Sequence, residues 1–171
     1  MRHISKASIL LSTHAWKAIL LDAYQRQQIE ACGALLGKID GEGNWHVEEV
    51  LPLHNIAASP VYFEFEPSEL LTIDLEQPGR MIGVYHSHPT GPDIASSTDC
   101  QNMQRVNREQ HIPWVWLIVS GPFTNQPASN SLASEGAAIS ARGAIAYHHY
   151  QDTGLQQIAI QRSEREAIEP V

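Results

Sequence analysis

Cysteines and long apolar runs are scarce in this sequence. Its 171 residues include two cysteines, Cys32 and Cys100, too few for a disulfide framework, and neither belongs to a Cys-x-x-Cys pair. No apolar run is long enough to cross a membrane, and Met1–Leu11 lacks the small-residue cleavage site of a signal peptide. These absences favour the reducing cytoplasm. The two cysteines are interpreted either as small buried side chains or as thiols that regulate a nearby site through oxidation.

Basic residues are also few. The chain has 11 Lys and Arg against 19 Asp and Glu, a formal net charge of -8. This balance argues against a nucleic-acid-binding face, because phosphate contacts require clustered Lys and Arg. Hydrophobic residues make up 43% of the chain and charged residues 18%, as in an ordinary globular protein. We therefore predict a single domain over residues 1–171, with its core at about 3–162.

Local patterns predict an α/β fold with a mixed sheet and helices packed against it. Helices are predicted over 14–28, capped by Ser12 or Thr13, and over 67–77 and 96–110. Strands are predicted over 3–11, 29–39, 44–53, 61–66, 112–120, 143–150 and 155–161, with a central strand that begins at Met81. Residues 121–142 form a long loop, either substrate-contacting or a disordered insert, and 163–171 a frayed tail.

The central strand ends in the chain's most informative motif. His86 and His88 are two residues apart, so in an extended chain both imidazoles point to the same side, and Pro89 stops the strand there. Asp99 follows one short loop later, near the first turn of a helix, where its carboxylate can face back. Two imidazoles and a carboxylate form a three-ligand zinc set that leaves the fourth tetrahedral position for water.

A simpler interpretation exists for part of this motif. Ser96-x-x-Asp99 also fits a capping box, in which the serine caps the helix and the acid reaches back. The two interpretations are compatible, and the cap alone does not explain the paired histidines. A hydrolytic site also requires a base, and Glu30, at the entrance of an apolar strand, is the candidate. The alternative for Glu30 is an ordinary exposed acid between a helix and a strand.

Taken together, these motifs resemble those of a known family. Ile29-Glu-Ala-Cys-Gly-Ala-Leu-Leu-Gly37, then His86-Ser-His-Pro89, then Ser96-x-x-Asp99 is similar to the split motif of the JAMM/MPN+ zinc metalloproteases, over about residues 14–120. The resemblance implies the MPN fold, a cytidine-deaminase-like mixed sheet flanked by helices in an α-β-α arrangement. It implies zinc ligands His86, His88 and Asp99, a general acid/base at Glu30, and an oxyanion hydrogen bond from Ser96.

The family also implies a substrate. Its members cleave isopeptide or peptide bonds after the C-terminal tail of ubiquitin or ubiquitin-like proteins. Some small single-domain prokaryotic members process sulfur-carrier proteins with a Gly-Gly tail, and the loop at Asn55 resembles theirs. The short region between Asn55 and the central strand leaves little room for the insertion that grips substrate in eukaryotic chain-specific members. The alternatives are a catalytically silent MPN scaffold and a zinc peptidase of small peptides.

Overall fold

The protein is described here from a computed structural model that covers residues 6–126 and 138–163. Nine strands run over β1 Ser8–Ser12, β2 Cys32–Ile39, β3 Trp45–Leu53, β4 Met81–His88, β5 Val115–Ser120, β6 Thr124–Gln126, β7 Ala138–Ser140, β8 Gly143–Tyr150 and β9 Gly154–Ser163. The helices are α1 Thr13–Gln25, α2 Pro67–Glu76 and α3 Ser97–Met103, and a π-helical segment, Gln104–Glu109, continues α3. No helix in these ranges is both long and apolar enough to span a membrane.

The sheet is mixed, as predicted, but it closes on itself. Seven strands follow the order β1-β3-β2-β4-β5-β8-β9, and β1 pairs in parallel with both β3 and β9. The β1–β9 pairing, from Ser8 opposite Ala159 to Ser12 opposite Ser163, joins the two ends of the sheet into a barrel. The expected mixed sheet flanked by helices is thus present, and its closure between β1 and β9 is an additional feature that the sequence did not predict.

Helices cover both faces of this sheet. Alternate residues of a strand point to opposite faces, and β4 shows this clearly. Tyr85 packs in the core formed with α1, whereas Val84 packs in a second core with Met103 of α3. A third cluster places Ile73 of α2 on the same side as α3, against Ala34 of β2. Since His86 and His88 share the parity of Val84, both lie on the α3 face.

Several predicted elements differ from the structure in their bounds. The predicted strand 61–66 is irregular, with one isolated bridge between Asn55 and Phe65. The predicted helix 96–110 changes from α to π at Gln104. In the π-helical segment the Asn107 side chain donates hydrogen bonds to the carbonyls of Ile112 and Trp114. These two bonds connect the segment to the chain that enters β5.

The chain segments around the core account for the remaining differences. The strand predicted over 112–120 begins only at Val115, after Pro113, whose nitrogen cannot donate to a ladder. The predicted loop 121–142 contains the two-stranded sheet of β6 and β7, and residues 127–137 lie outside the described residues. The predicted tail begins within β9, which reaches Ser163; residues 164–171 and 1–5 are also outside the described ranges.

Candidate metal centre

Strand β4 carries the two histidines at its carboxyl end. His86 is 0% exposed and His88 is 5% exposed, and both rings lie on the α3 face. Parallel pairing with β5 continues to His88, opposite Ser120, so the strand is held in register up to the proline. The alternation of an extended chain thus places the two imidazoles side by side, with Nε2 atoms 3.1 Å apart.

Helix α3 presents Asp99 to these rings through its first turn. The Asp99 amide donates to Ser96 Oγ at 3.0 Å, and the Ser96 amide donates to Asp99 Oδ2 at 2.8 Å, which is a complete capping box. Asp99 is nevertheless turned toward the histidines, because Oδ1 lies 3.2 Å from His86 Nε2 and Oδ2 lies 3.2 Å from His88 Nε2. One carboxylate therefore closes the capping box and also faces both imidazoles.

The spacing of these three donors fits a metal ion. Ligand atoms about 2.0–2.1 Å from a tetrahedral centre lie roughly 3.3–3.4 Å apart. The two Nε2 atoms lie 3.1 Å apart, and each lies 3.2 Å from one oxygen of the Asp99 carboxylate, Oδ1 for His86 and Oδ2 for His88. Elsewhere in residues 6–126 and 138–163, no cluster of three or more His, Cys, Asp or Glu side chains brings ligand atoms together in this way.

The hydrogen bonding of His88 also leaves one of its ring nitrogens available as a ligand atom. Its Nδ1 donates to the Pro92 carbonyl at 3.0 Å, so in a neutral ring Nε2 carries a lone pair. That lone pair faces the Asp99 carboxylate, and two acceptors this close require a cation or a proton between them. Although burial of the ring opposes it, hydrogen bonds to Asp99 and Pro92 raise the pKa of His88. The bond from Nδ1 to Pro92 thus fixes the ring with Nε2 toward Asp99.

Burial and pairing also set the charges of the other two groups. Complete burial lowers the pKa of His86, so this ring stays neutral and able to bind through Nε2. Burial alone would raise the pKa of Asp99, but its hydrogen bonds to His86 and His88 hold that pKa below the ordinary value. A neutral imidazole and an ionised carboxylate are the protonation states that metal binding requires.

Glu30 lies next to this group, just before β2. Cys32 pairs with His86 in the antiparallel register of β2 and β4, so counting two residues outward along each strand brings Glu30 opposite His88. Its Oε1 is 3.9 Å from His88 Nε2, and the residue is 4% exposed. The alternative of an ordinary exposed acid is therefore wrong. Burial raises the pKa of Glu30 to about 8, with His88 opposing the rise and Asp99 adding to it.

A two-bond link connects the Glu30 segment to the middle of the histidine motif. Ala31 donates to Ser87 Oγ at 2.8 Å, and the Ser87 amide donates to the Ala31 carbonyl at 2.8 Å. Ser87 is 0% exposed and lies between the two histidines. Ala31, the residue after Glu30, is thus hydrogen-bonded twice to the strand that carries His86 and His88.

Comparison with known proteins agrees with this geometry. Residues 12–134 match the model of the prokaryotic homologs of the JAB domain. The chain belongs to this family. The match includes the helix α1, Glu30 and all of the His86–Asp99 motif, so the predicted JAMM/MPN+ membership is confirmed at the level of a prokaryotic JAB/MPN protein.

Two relatives of this JAB-domain protein illustrate how far the similarity extends. A desampylase from Pyrococcus furiosus is 33% identical over 119 residues, which cover 68% of this chain and 76% of the relative. The solution structure of a protein from Desulfitobacterium hafniense superposes with a TM-score of 0.67 and 26% identity, covering 94% of this chain and 97% of that one. The likeness therefore extends beyond the motif to nearly the whole described fold.

Some side chains around the JAB-domain site were missed from the sequence. Phe63 stacks on the ring of His86, with centroids 4.5 Å apart and an interplanar angle of 28°. The Pro92 carbonyl orients His88, and Ser87 holds Ala31. The position of Ser87 between two same-face histidines signals a buried residue on the opposite face. No local pattern signals the stacking of Phe63, because it comes from a segment without regular structure.

The cysteines differ in their surroundings. Cys32 is 0% exposed, and its Sγ contacts the carbonyls of Leu53 and His54, which favours a buried side chain over a redox regulator. Cys100 is partly buried and follows Asp99 in α3. Two further histidines pair with single carboxylates away from the site, His46 with Asp40 and His54 with Glu69.

Proposed function

We propose that this protein is a zinc-dependent isopeptidase or peptidase that cleaves after the C-terminal Gly-Gly tail of a ubiquitin-like or sulfur-carrier protein. The observation that carries the proposal is the buried group of His86, His88 and Asp99, with the Glu30 carboxyl 3.9 Å from one of its imidazoles. Similarity to a desampylase supports a deconjugating enzyme that acts on a ubiquitin-like modifier.

In this proposal His86, His88 and Asp99 hold the zinc ion. The donor set, two imidazole nitrogens and one carboxylate oxygen, is the type found in catalytic zinc sites that keep one position open. When bound, the ion supplies Lewis-acid activation of water and of the amide carbonyl. The protein contributes the orientation of these ligands, through the Pro92 carbonyl for His88 and the Ser96 amide for Asp99.

Glu30 is the general acid/base. Its carboxylate accepts a proton from the attacking water and then donates that proton to the leaving amine nitrogen as the amide C–N bond breaks. Its burial keeps bulk water from competing for that proton. Placement opposite His88 in the strand register puts the carboxyl beside the ligand group and not on the outer surface.

Ser96 is the oxyanion donor. Its Oγ accepts the Asp99 amide through a lone pair, so its hydroxyl hydrogen stays available to a substrate oxygen. The residue is exposed, unlike the ligands, so a bound carbonyl can reach it. Such a donor stabilises negative charge that develops on the carbonyl oxygen in the transition state.

The two alternatives are less well supported. A silent MPN scaffold would not need the complete set of His86, His88, Asp99 and Glu30, all of which are buried together. A peptidase of small peptides would use the same chemistry and differs only in substrate. A comparison of carrier-protein fusions with short Gly-Gly peptides separates these two activities.

The test measures metal content and cleavage in matched variants. Purified protein is loaded with Zn²⁺ and given fusions that extend candidate ubiquitin-like or sulfur-carrier proteins beyond Gly-Gly. Glu30→Gln should keep the metal and lose cleavage, whereas Glu76→Gln, at an exposed position at the end of α2, should retain both. His88→Ala should lose zinc, and His54→Ala, whose side chain is 86% exposed, should keep it.

Each result bears on a different part of the proposal. Full activity of Glu30→Gln removes that residue from its role. Full zinc occupancy of His88→Ala contradicts the ligand assignment. Zinc-loaded wild-type protein that cleaves no Gly-Gly fusion and no Gly-Gly peptide overturns the proposed reaction and favours the scaffold.

A further inference from the structure

A buried amide lies directly behind Glu30. Asn55 follows β3, is 7% exposed, and uses its full hydrogen-bonding capacity. Its Nδ2 donates to the Glu30 carbonyl at 3.0 Å and to the Tyr62 carbonyl at 2.9 Å. Its Oδ1 accepts from the amides of Ala57 at 3.0 Å and Glu64 at 3.1 Å. One side chain therefore connects the start of β2 to the irregular segment that precedes α2.

The backbone of Glu30 depends on this loop. Residues 30 and 31 precede the β2 ladder, which begins at Cys32. The Glu30 amide donates to the Ser59 carbonyl at 2.8 Å, and its carbonyl accepts from Asn55. Both polar backbone groups of Glu30 are thus bound by the Asn55 loop, so the loop sets the position from which the side chain starts.

The same amide also holds the chain on both sides of Phe63, the ring that packs against His86. Through the Tyr62 carbonyl and the Glu64 amide, Asn55 holds both neighbours of Phe63. Phe63 is 7% exposed and stacks on His86. The side chain of Asn55 therefore lies between the acid/base residue and the aromatic ring that packs against a metal ligand.

We propose that Asn55 is a positioning residue for the hydrolytic reaction, acting through Glu30. This rests on the proposed function, and it assigns to the Asn55 amide the placement of the Glu30 carboxyl relative to His88 and Asp99. An amide is required because the position needs one NH2 group that donates twice and one oxygen that accepts twice. Aspartate has the same shape and keeps an oxygen that can accept both bonds, but its second oxygen would face the Glu30 and Tyr62 carbonyls without a proton to donate.

The chain offers a matched control in Asn107. This residue is 3% exposed, and its Nδ2 donates to two carbonyls, those of Ile112 and Trp114. Its Oδ1 accepts from Trp116 Nε1 and from the His149 amide. It contacts neither Glu30 nor a metal ligand by any of these bonds. Asn107→Asp thus removes the same two donors from an equally buried amide elsewhere in the fold.

The experiment compares Asn55→Asp with Asn107→Asp in the full chain. Steady-state cleavage of a Gly-Gly fusion is measured well below the melting temperature of each variant. Asn55→Asp should lower kcat by about 10- to 100-fold with KM little changed, because the base is displaced from its productive geometry. Asn107→Asp should lose thermal stability to a similar degree and keep wild-type kcat and KM.

Two measurements do not depend on cleavage. Titration with Co²⁺ should give the wild-type affinity for Asn55→Asp, because the ligands His88 and Asp99 keep their own bonds to Pro92 and Ser96. Hydrogen exchange of the Zn²⁺-loaded protein, referenced to the slowest amides of β5, should show about tenfold faster exchange at the Glu30 amide in Asn55→Asp. Asn107→Asp should leave that amide as protected as in the wild type.

The outcomes separate the two proposals. If wild-type protein cleaves no substrate, the proposed function fails, and the exchange of the Glu30 amide still decides the role of Asn55. Unchanged Glu30 exchange, equal loss of kcat in both variants, or loss of Co²⁺ affinity in Asn55→Asp overturns the positioning role. If Asn55→Asp does not fold, the wild type provides the test: the Asn55 Nδ2 protons should be as protected as the Glu30 amide, and solvent-like exchange refutes the proposal.

Discussion

Removal of one buried hydroxyl should both destabilise the fold and impair the site. In Ser87→Ala, the Ala31 amide loses its acceptor, Ser87 Oγ at 2.8 Å, in a place where Ser87 is 0% exposed and Ala31 is buried. The reverse bond, from the Ser87 amide to the Ala31 carbonyl, belongs to the backbone and survives the substitution.

The cost follows from an unsatisfied buried donor. A buried amide without an acceptor loses about 1–3 kcal/mol of stability, so we expect about 2 kcal/mol for Ser87→Ala. For a chain of this size that corresponds to a fall in Tm of roughly 4–8 °C. Because Ala31 follows Glu30, kcat should also fall while the affinity for metal is retained.

The neighbouring strand provides the control. Ser120, opposite His88 on β5, is also 0% exposed, but its Oγ has no hydrogen-bond partner within the described ranges. Ser120→Ala removes a desolvated hydroxyl without leaving a donor unpaired, so its stability should equal or exceed that of the wild type. Urea denaturation of both variants, read at the midpoint with unchanged m, measures the difference.

The comparison can refute the reasoning in two ways. Equal free energies of unfolding for Ser87→Ala and Ser120→Ala would mean that the Ala31 bond contributes nothing measurable. A Ser87→Ala variant that loses stability but keeps wild-type kcat would mean that Glu30 does not depend on the link through Ala31.

Three further predictions concern the surrounding fold. Gly33→Ala should destabilise the protein by about 2 kcal/mol or more, since the added Cβ would lie 2.4 Å from the Tyr85 ring and 2.5 Å from a backbone carbonyl oxygen; thermal melting with wild-type stability would contradict this packing. Burial lowers the pKa of His148, so the unfolded chain binds a proton that the folded chain refuses, and stability should fall as pH falls below about 6.5. His148→Gln should therefore show a smaller fall in Tm between pH 7 and pH 5 than the wild type. The same pH dependence of Tm in both proteins would contradict the role of His148. Burial raises the pKa of the Cys32 thiol to about 12, so iodoacetamide should label Cys100 and leave Cys32 unmodified until the protein unfolds. Mass spectrometry detects the labelled residue, and rapid labelling of Cys32 in native protein would contradict this prediction.

Features that depend on near neighbours could be predicted well. The 3.6-residue spacing of apolar side chains predicted α1, and its cap is Ser12, whose side chain accepts the Ala15 amide. The two-residue alternation of a strand placed both histidines on one face. The capping box at Ser96 and Asp99 is present, and it is compatible with the proposed role of Asp99 as a metal ligand.

Features that depend on distant pairing could not be predicted with the same success. Segment 61–66 alternates like a strand, yet the side chain of Asn55 takes the hydrogen bonds of Tyr62 and Glu64 that a neighbouring strand would have formed. The closure of the sheet joins β1 to β9, which lie at opposite ends of the described chain, and no local pattern contains that pairing. Glu30 could be nominated from its motif, but its burial and its distance from His88 depend on the register of β2 against β4.

The amino-acid sequence by itself determined which side chains could bind a metal and on which face of a strand or turn of a helix each would lie, because backbone sterics and capping act over a few residues. The tertiary structure decided that these side chains meet, that a second carboxyl, that of Glu30, is buried beside them, and that an amide from a distant loop binds the Glu30 backbone carbonyl. Those contacts depend on how whole strands and helices pack, and the burial of many apolar side chains together fixes them.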